Sequence, residues 1–317
     1  MKTKLSEINK SIPEVSLVIC SSSFERRWFQ ITKNLSPKSL DLIVILQKSI
    51  ENPAWKEGIT AIKSIHGDIY QALDIEKLSP KHTWIKFVQE IVPLIKKQDN
   101  LTLIDITTFT HETVAFFTSM IKLYKLESKV RFAYAGASSY MTSNEERDWW
   151  LSRGVKDIRS ILGFPGVIRP SQGSHLIILV GFEIERAKEL IIQYEPSSIS
   201  LGIGTDAYSQ DFFEKNNWYR NQIQSFIETV NTTIKNVSKF EFSCSDPISA
   251  KNSILAEANK FNNFNITLAP MNTKVSTIAA ASAALENEDL KLCYVEPLEY
   301  NRTYYSTPGD TLTLIHL

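Results

Sequence analysis

The chain has 317 residues, of which 43% are hydrophobic and 22% charged, with 35 acidic side chains balanced by 35 basic ones. This composition excludes a disordered or fibrous chain, and zero net charge argues against general affinity for nucleic acid or an anionic membrane while leaving room for a local basic pocket. The length suits two ordinary domains better than one core.

The opening, "MKTKLSEINKSIPEVSLVIC", carries an apolar stretch too short and too interrupted for a signal peptide. No run of about 18 apolar residues follows anywhere, so no membrane span and a cytoplasmic location are expected. Runs rich in Val, Ile and Leu at 16–20, 41–47, 101–106 and 130–135 have strand length without polar alternation. That is the pattern of strands covered on both faces of a mostly parallel sheet. Between them lie helical patterns: "FERRWFQITKNL", the segment around "AWKEGITAIKSI", "TWIKFVQEIVPLIKK" with a kink expected at Pro93, and "HETVAFFTSMIKLYKL". The stretch 145–173, with "DWWLSRG", "GFPG" and "RPSQG", reads as a seam in which Trp149 and Trp150 fill space. Beyond it come strands near 175–180, 199–204, 239–244, 265–270 and 290–295, with a long helical pattern over 210–235. Strand and helix alternate in both parts, which predicts an α/β chain of two Rossmann-like domains, 1–170 and 171–317.

The two parts also repeat each other. "SLVICSSSFERRWFQITKNLSPKSLDLIVIL" from Ser16 aligns with "HLIILVGFEIERAKELIIQYEPSSISLGIG" from His175 given two small gaps, so that Phe24 meets Phe182, Glu25 meets Glu183 and Arg27 meets Arg186. "NLTLIDITTFTHET" from Asn100 parallels "NITLAPMNTKVST" from Asn265. "VRFAYAGASSYM" parallels "LKLCYVEPLEYN", which sets Tyr134 and Tyr140 against Tyr294 and Tyr300. The offsets, 182 − 24 = 158, 265 − 100 = 165 and 294 − 134 = 160, are nearly constant. An internal duplication related by a pseudo-twofold is expected. "DIRSILGF" from Asp157 and "DTLTLIHL" from Asp310 read as matching closing strands.

In a parallel α/β sheet, ligands bind beyond the carboxyl ends of the strands, where loops lead into helix N-termini. The repeated blocks fall there. Ser21, Ser22, Ser23 and Arg27 follow the first strand, Thr107 and Thr108 the fourth; Gly181 and Arg186, then Asn272, Thr273 and Lys274, are their counterparts. These loops are expected to converge on one cleft. The hydroxyls serve equally well as helix caps, and both arginines serve as structural partners of Glu25 and Glu183. Lys274 opposes the helix dipole at a helix start unless an anion is near, which makes it the best ligand contact of the second half. His111, on a helix's first turn near Asp105, is a weak candidate for acid–base catalysis, its counterpart being Ser276.

Cys20, Cys244 and Cys293 are odd in number and widely spaced, so buried reduced thiols are expected rather than disulfides. The five histidines show no HExxH or i, i+4 pairing, and no metal site follows. GxGxxG, GxxxxGK[ST] and GxSxG are absent, which removes the warrant for a dinucleotide dehydrogenase, a P-loop NTPase or an α/β-hydrolase, and no cofactor is implied.

The order of elements, the small-residue loop after the first strand and the "N-x-T…T-K" string leading into a helix resemble the CARF domains of prokaryotic antiviral proteins, and two in one chain are similar to tandem CARF or SAVED modules. That family usually ends its fourth-strand motif in Gly-Gly-Thr-Lys; this chain has Met271, Asn272, Thr273 and Lys274 in the second half and Thr107, Thr108 and Phe109 in the first. The resemblance implies a sensor that binds a small anionic nucleotide, such as a cyclic oligonucleotide, in antiphage defence and signals to a partner effector protein, with Asn272, Thr273 and Lys274 as contacts. Two other roles stay open: a scaffold subunit of a defence complex, and a two-Rossmann glycosyltransferase or phosphodiesterase-type enzyme. A role other than catalysis is favoured.

Overall fold

The computed structural model describes residues 1–317 apart from 39, 48–51, 76–77, 141–149, 207–208, 231–233 and 303–304. In chain order the first elements are β1 (Lys2–Lys4), α1 (Ile8–Ser11), β2 (Val15–Ser21), α2 (Gln30–Asn34), β3 (Leu42–Gln47) and α3 (Pro53–His66). There follow β4 (Tyr70–Asp74), α4 (Pro80–Lys86), α5 (Val92–Lys97), β5 (Leu101–Asp105), α6 (His111–Leu123) and β6 (Val130–Tyr140). The remainder comprises β7 (Ser152–Ser160), β8 (Ser174–Leu179), α7 (Ile184–Tyr194), β9 (Ser198–Thr205), α8 (Gln210–Val230), β10 (Asn236–Ser243), α9 (Pro247–Asn259), β11 (Asn265–Pro270), α10 (Lys274–Glu286), β12 (Leu290–Tyr300) and β13 (Ser306–Ile315).

Two compact units result, Met1–Glu145 with Arg302–Leu317, and Glu146–Asn301. The first holds a seven-stranded sheet in the order β1-β13-β6-β5-β2-β3-β4, the second a six-stranded sheet in the order β10-β9-β8-β11-β12-β7. Strands β2 to β6 are mutually parallel where they pair, as are β8 to β12. The closing strands run antiparallel: β13 on β6, β7 on β12, with β1 antiparallel outside β13. Every residue of β2 and β5 is buried, the condition of a strand covered on both faces and the reason these runs carry no polar alternation.

Local signals set the helix ends. Asn52 caps α3 through the Trp55 N–H with Pro53 at its first position, and Gly67, at φ 75°, ends it. At the expected Pro93 kink, a π-helical turn over Phe87–Ile91 separates α4 from α5. Proline lacks the N–H that would continue the regular ladder. Asn100–Thr113 and Asn265–Thr277 form the same kinds of element, a buried strand, a short loop and a buried helix.

The units differ from the contiguous halves 1–170 and 171–317. The strand that follows β6 in the chain, β7, completes the second sheet beside β12, and the strand that follows β12, β13, completes the first sheet beside β6. Laid side by side, β4-β3-β2-β5-β6-β13 and β10-β9-β8-β11-β12-β7 match position for position. Trp149 lies outside the described residues; Trp150 is half-buried, with the Arg153 guanidinium 4.6 Å from its ring centroid. The three cysteines are buried and none is in a disulfide.

Each unit has its own apolar core, that of the first gathered around Trp28, Phe29, Ile31 and Ile62, that of the second around Leu190, Ile191, Tyr219 and Ile223. The second also buries a polar chain at the start of its strands. The His175 ring is held between the hydroxyls of Ser198 and Ser200 and stacks on Phe261 at 3.6 Å. Ser200 and Ser238 both donate to Glu257 at 2.6 Å, as does Lys260. Burial lowers the His175 pKa to about 4 against a smaller opposing effect of Glu257, so the ring is neutral near pH 7. Among the described residues no helix is long and apolar enough to cross a membrane.

Candidate functional site

In the first unit the loops after β2 and β5 meet at the carboxyl edge. The Thr108 hydroxyl donates to the Ser21 carbonyl at 2.8 Å, tying one loop to the other. The remaining hydroxyls are used locally. Ser21 and Ser22 donate to the Leu46 carbonyl, and Ser23 accepts the Glu25 N–H at 3.1 Å. Thr107 accepts the Ala135 N–H at 2.9 Å, and Thr110 caps α6 by accepting the Thr113 N–H at 3.1 Å. His111 is buried as the first residue of α6.

The second unit brings its two loops together by different chemistry. Asn272 donates to the Val180 carbonyl and accepts the Thr273 N–H at 2.8 Å. Thr273 caps α10 through the Ser276 N–H at 3.1 Å and donates to the Cys244 carbonyl at 3.3 Å. Gly181 is needed for close approach: a Cβ there would stand 1.8 Å from the Met271 carbonyl oxygen. Lys274 is the first residue of α10 and is partly exposed. With Thr110 and Thr273 as equivalent caps, the counterpart of His111 is Lys274, and that of Ser276 is Thr113. The Ser276 pairing fails because the first loop, residues 106–110, is two residues longer than its counterpart 271–273, and its Phe109 is buried and stacked on Phe117 at 5.3 Å.

Two groups beside this second edge carry no repeat signal. Asn216 of α8 bridges the Val180 carbonyl at 2.6 Å and the Gly204 N–H at 3.2 Å. Asp206, at φ 47°, gathers the hydroxyls of Ser243 and Ser245 and the Cys244 N–H. Asp tolerates that left-handed backbone, so its local cue is the strand-ending "GTD".

Arg27 and Arg186 occupy matching buried clusters. Each guanidinium pairs with the glutamate of its own loop, Glu25 at 2.6 Å and Glu183. In both pairs the arginine is 3% and the glutamate 9% exposed. Each arginine also donates to a carbonyl of the long penultimate strand, Ala135 at 3.2 Å and Val295. Each lies near a tyrosine ring, Arg27 at 5.5 Å from Tyr140 and Arg186 at 6.0 Å from Tyr294. The glutamates also accept from the first residue of the closing strand, Ser306 at 2.5 Å and Ser152. Burial works against the Arg27 charge, but Glu25, Tyr140 and Tyr134 hold its pKa well above the ordinary value. Burial raises the Tyr140 pKa well above its ordinary value and that of Tyr300 to about 12.

One carboxyl stands apart. Asp105 ends β5, its Oδ1 accepts the Thr107 N–H at 2.9 Å, and its Oδ2 has no hydrogen-bond partner. Burial lifts its pKa to about 7 against the opposing effects of Thr107 and Arg27. The repeat has Pro270 at this position, so the feature belongs to the first unit alone. Among the described residues no group of three or more His, Cys, Asp and Glu side chains could hold a metal ion.

No protein-family model matches the chain, and no curated protein matches it.

Proposed function

We propose that the chain is a duplicated, CARF-like pair of Rossmann-like domains that binds a small anionic, nucleotide-derived ligand and passes the event to a partner protein in antiphage defence. The observation that carries this reading is the loop junction present in both units. The loops after the first and fourth strands of each parallel sheet are hydrogen-bonded to each other at the carboxyl edge, through Thr108 in one unit and Asn272 in the other, beside the capped N-terminus of a long helix. Helix N-termini at that edge suit anions. The matched strand order and the paired Arg–Glu–Ser clusters support duplication. Of the ligand contacts, Lys274 carries the charge.

The test is calorimetry and thermal shift with mono-, di- and cyclic oligonucleotides and nucleotide sugars, with mass spectrometry of each mixture. Binding that Lys274→Ala weakens about ten- to a hundredfold supports the reading, since a charge-assisted contact contributes roughly 1.5 to 3 kcal/mol. Turnover of a nucleotide sugar would replace it with a glycosyltransferase. A scaffold role is favoured by one observation: Ser21, Ser22 and Thr107 spend their hydroxyls on the backbone. Absence of binding by every ligand would put that role first.

A further inference from the structure

We propose that the first unit is a strand acceptor, whose slot between β1 and β6 binds residues 306–315 as a separable segment and exchanges it for a free peptide of the same sequence. The slot is paired on both sides. β13 runs from Ser306 opposite Tyr140 to Ile315 opposite Phe132, and Thr311–Thr313 pair with Lys2–Lys4 on the other edge. An antiparallel addition of this kind draws affinity from main-chain bonds and specificity from the side chains it seats.

Two features set the register. Gly309 passes so close to β6 that a Cβ would stand 2.9 Å from the Gly136 carbonyl oxygen and the Ser138 N–H nitrogen. Pro308 sits where the pairing register shifts, a position that needs no N–H of its own. Ser306 then locks the end of the strand. Its hydroxyl donates to Glu25 at 2.5 Å while the oxygen accepts from Arg27 at 3.0 Å, so the strand's first residue adds two hydrogen bonds to the Arg27–Glu25 pair. The strand enters this sheet from β12, a member of the other sheet, so the slot is filled by a segment with no sequence neighbour in its own sheet. Ser152 makes the same contact with Glu183 at the start of β7, which shows the lock to be a property of the exchanged strands rather than of one loop.

The experiment uses the folded 317-residue chain with a protease site inserted after Asn301 and a fluorophore attached after Leu317. After cleavage the labelled strand is expected to remain with the body through gel filtration, and to be displaced slowly by an excess of unlabelled synthetic peptide 302–317. Ser306→Ala in the chain should speed that displacement about tenfold or more, the loss expected for one hydrogen bond to a charged group, while Ser306→Thr should restore slow exchange. A Gly309→Val peptide should fail to displace the strand. Immediate loss of the strand after cleavage overturns the proposal, as does equal exchange by Ser306→Ala and wild type, or competition by the Gly309→Val peptide equal to that of the natural sequence.

Discussion

Arg186 donates to the backbone carbonyl of Val295 while its other terminal nitrogen pairs with Glu183, so one guanidinium fastens the loop after β8 to β12. A buried ion pair of this kind gains little over an apolar pair but costs heavily when one member is removed. Glu183→Ala is therefore expected to destabilise by about 3 to 5 kcal/mol, and the double variant Glu183→Leu, Arg186→Met to recover most of the loss. Urea unfolding of the wild type and both variants checks this; a double variant as unstable as Glu183→Ala or more so would contradict the pairing. The same comparison at Glu25 and Arg27 should give a similar result.

The stability of the protein should carry two opposed pH dependences. His175 titrates near 6.5 when unfolded and at about 4 when folded, so its contribution is complete above about pH 6.5 and is lost as pH falls through 4. Asp105 has the opposite sign, 3.8 unfolded and about 7 folded: its contribution is complete below about pH 3.8 and is lost as pH rises through 7. The full swing of each is on the order of 3 kcal/mol. Asp105→Asn should therefore steepen the fall in stability on acidification between pH 6.5 and 4, and His175→Gln should leave stability falling as pH rises from 4 to 7. Thermal melts across that range report the slopes.

Gly181→Ala should separate the two loops at the second carboxyl edge, because its methyl group has no room beside the Met271 carbonyl. Overpacking costs typically about 1 to 3 kcal/mol, and the lower melting temperature should come with faster amide exchange at Asn272 and Thr273.

Thr110→Ala and Thr273→Ala remove equivalent caps and should each cost about 1 kcal/mol. Serine at either position should restore most of it, as measured by chemical denaturation.

Much of the architecture was legible because it is written in uninterrupted apolar runs: β2, β5, β8 and β11 fall within a residue or so of their expected spans. β4 was not, since "YQALD" is an edge strand with one buried residue and carries little signal. The outer halves of β6 and β12, through Tyr140 and Tyr300, are polar and likewise silent. Partner choice for the closing strands was invisible, because β6 and β12 have the same pattern and nothing local tells β7 which one to join. At the site, the repeat aligned Arg27 with Arg186 and Tyr134 and Tyr140 with Tyr294 and Tyr300, and both arginines lie in clusters of the same composition. The pairing with Glu25 and Glu183 was one of the two readings the sequence offered for the arginines; the carbonyl contacts and the serine 279 residues from Arg27 carry no local signal. The orphan Asp105 oxygen and the Asn216 bridge depend on burial and on α8, which no local pattern reports.

The pairing of Tyr140 with Ser306 also fixes a delay during synthesis. The two residues are 306 − 140 = 166 positions apart, so at about 5 to 20 residues per second β6 waits roughly ten to thirty seconds on the ribosome for its neighbour. Throughout that interval the first sheet offers an open edge from Val130 to Tyr140 while the whole second sheet is being made. The nascent chain is thus most in need of a chaperone until β13 emerges, and a stall after β12 leaves the first sheet, not the second one, unfinished.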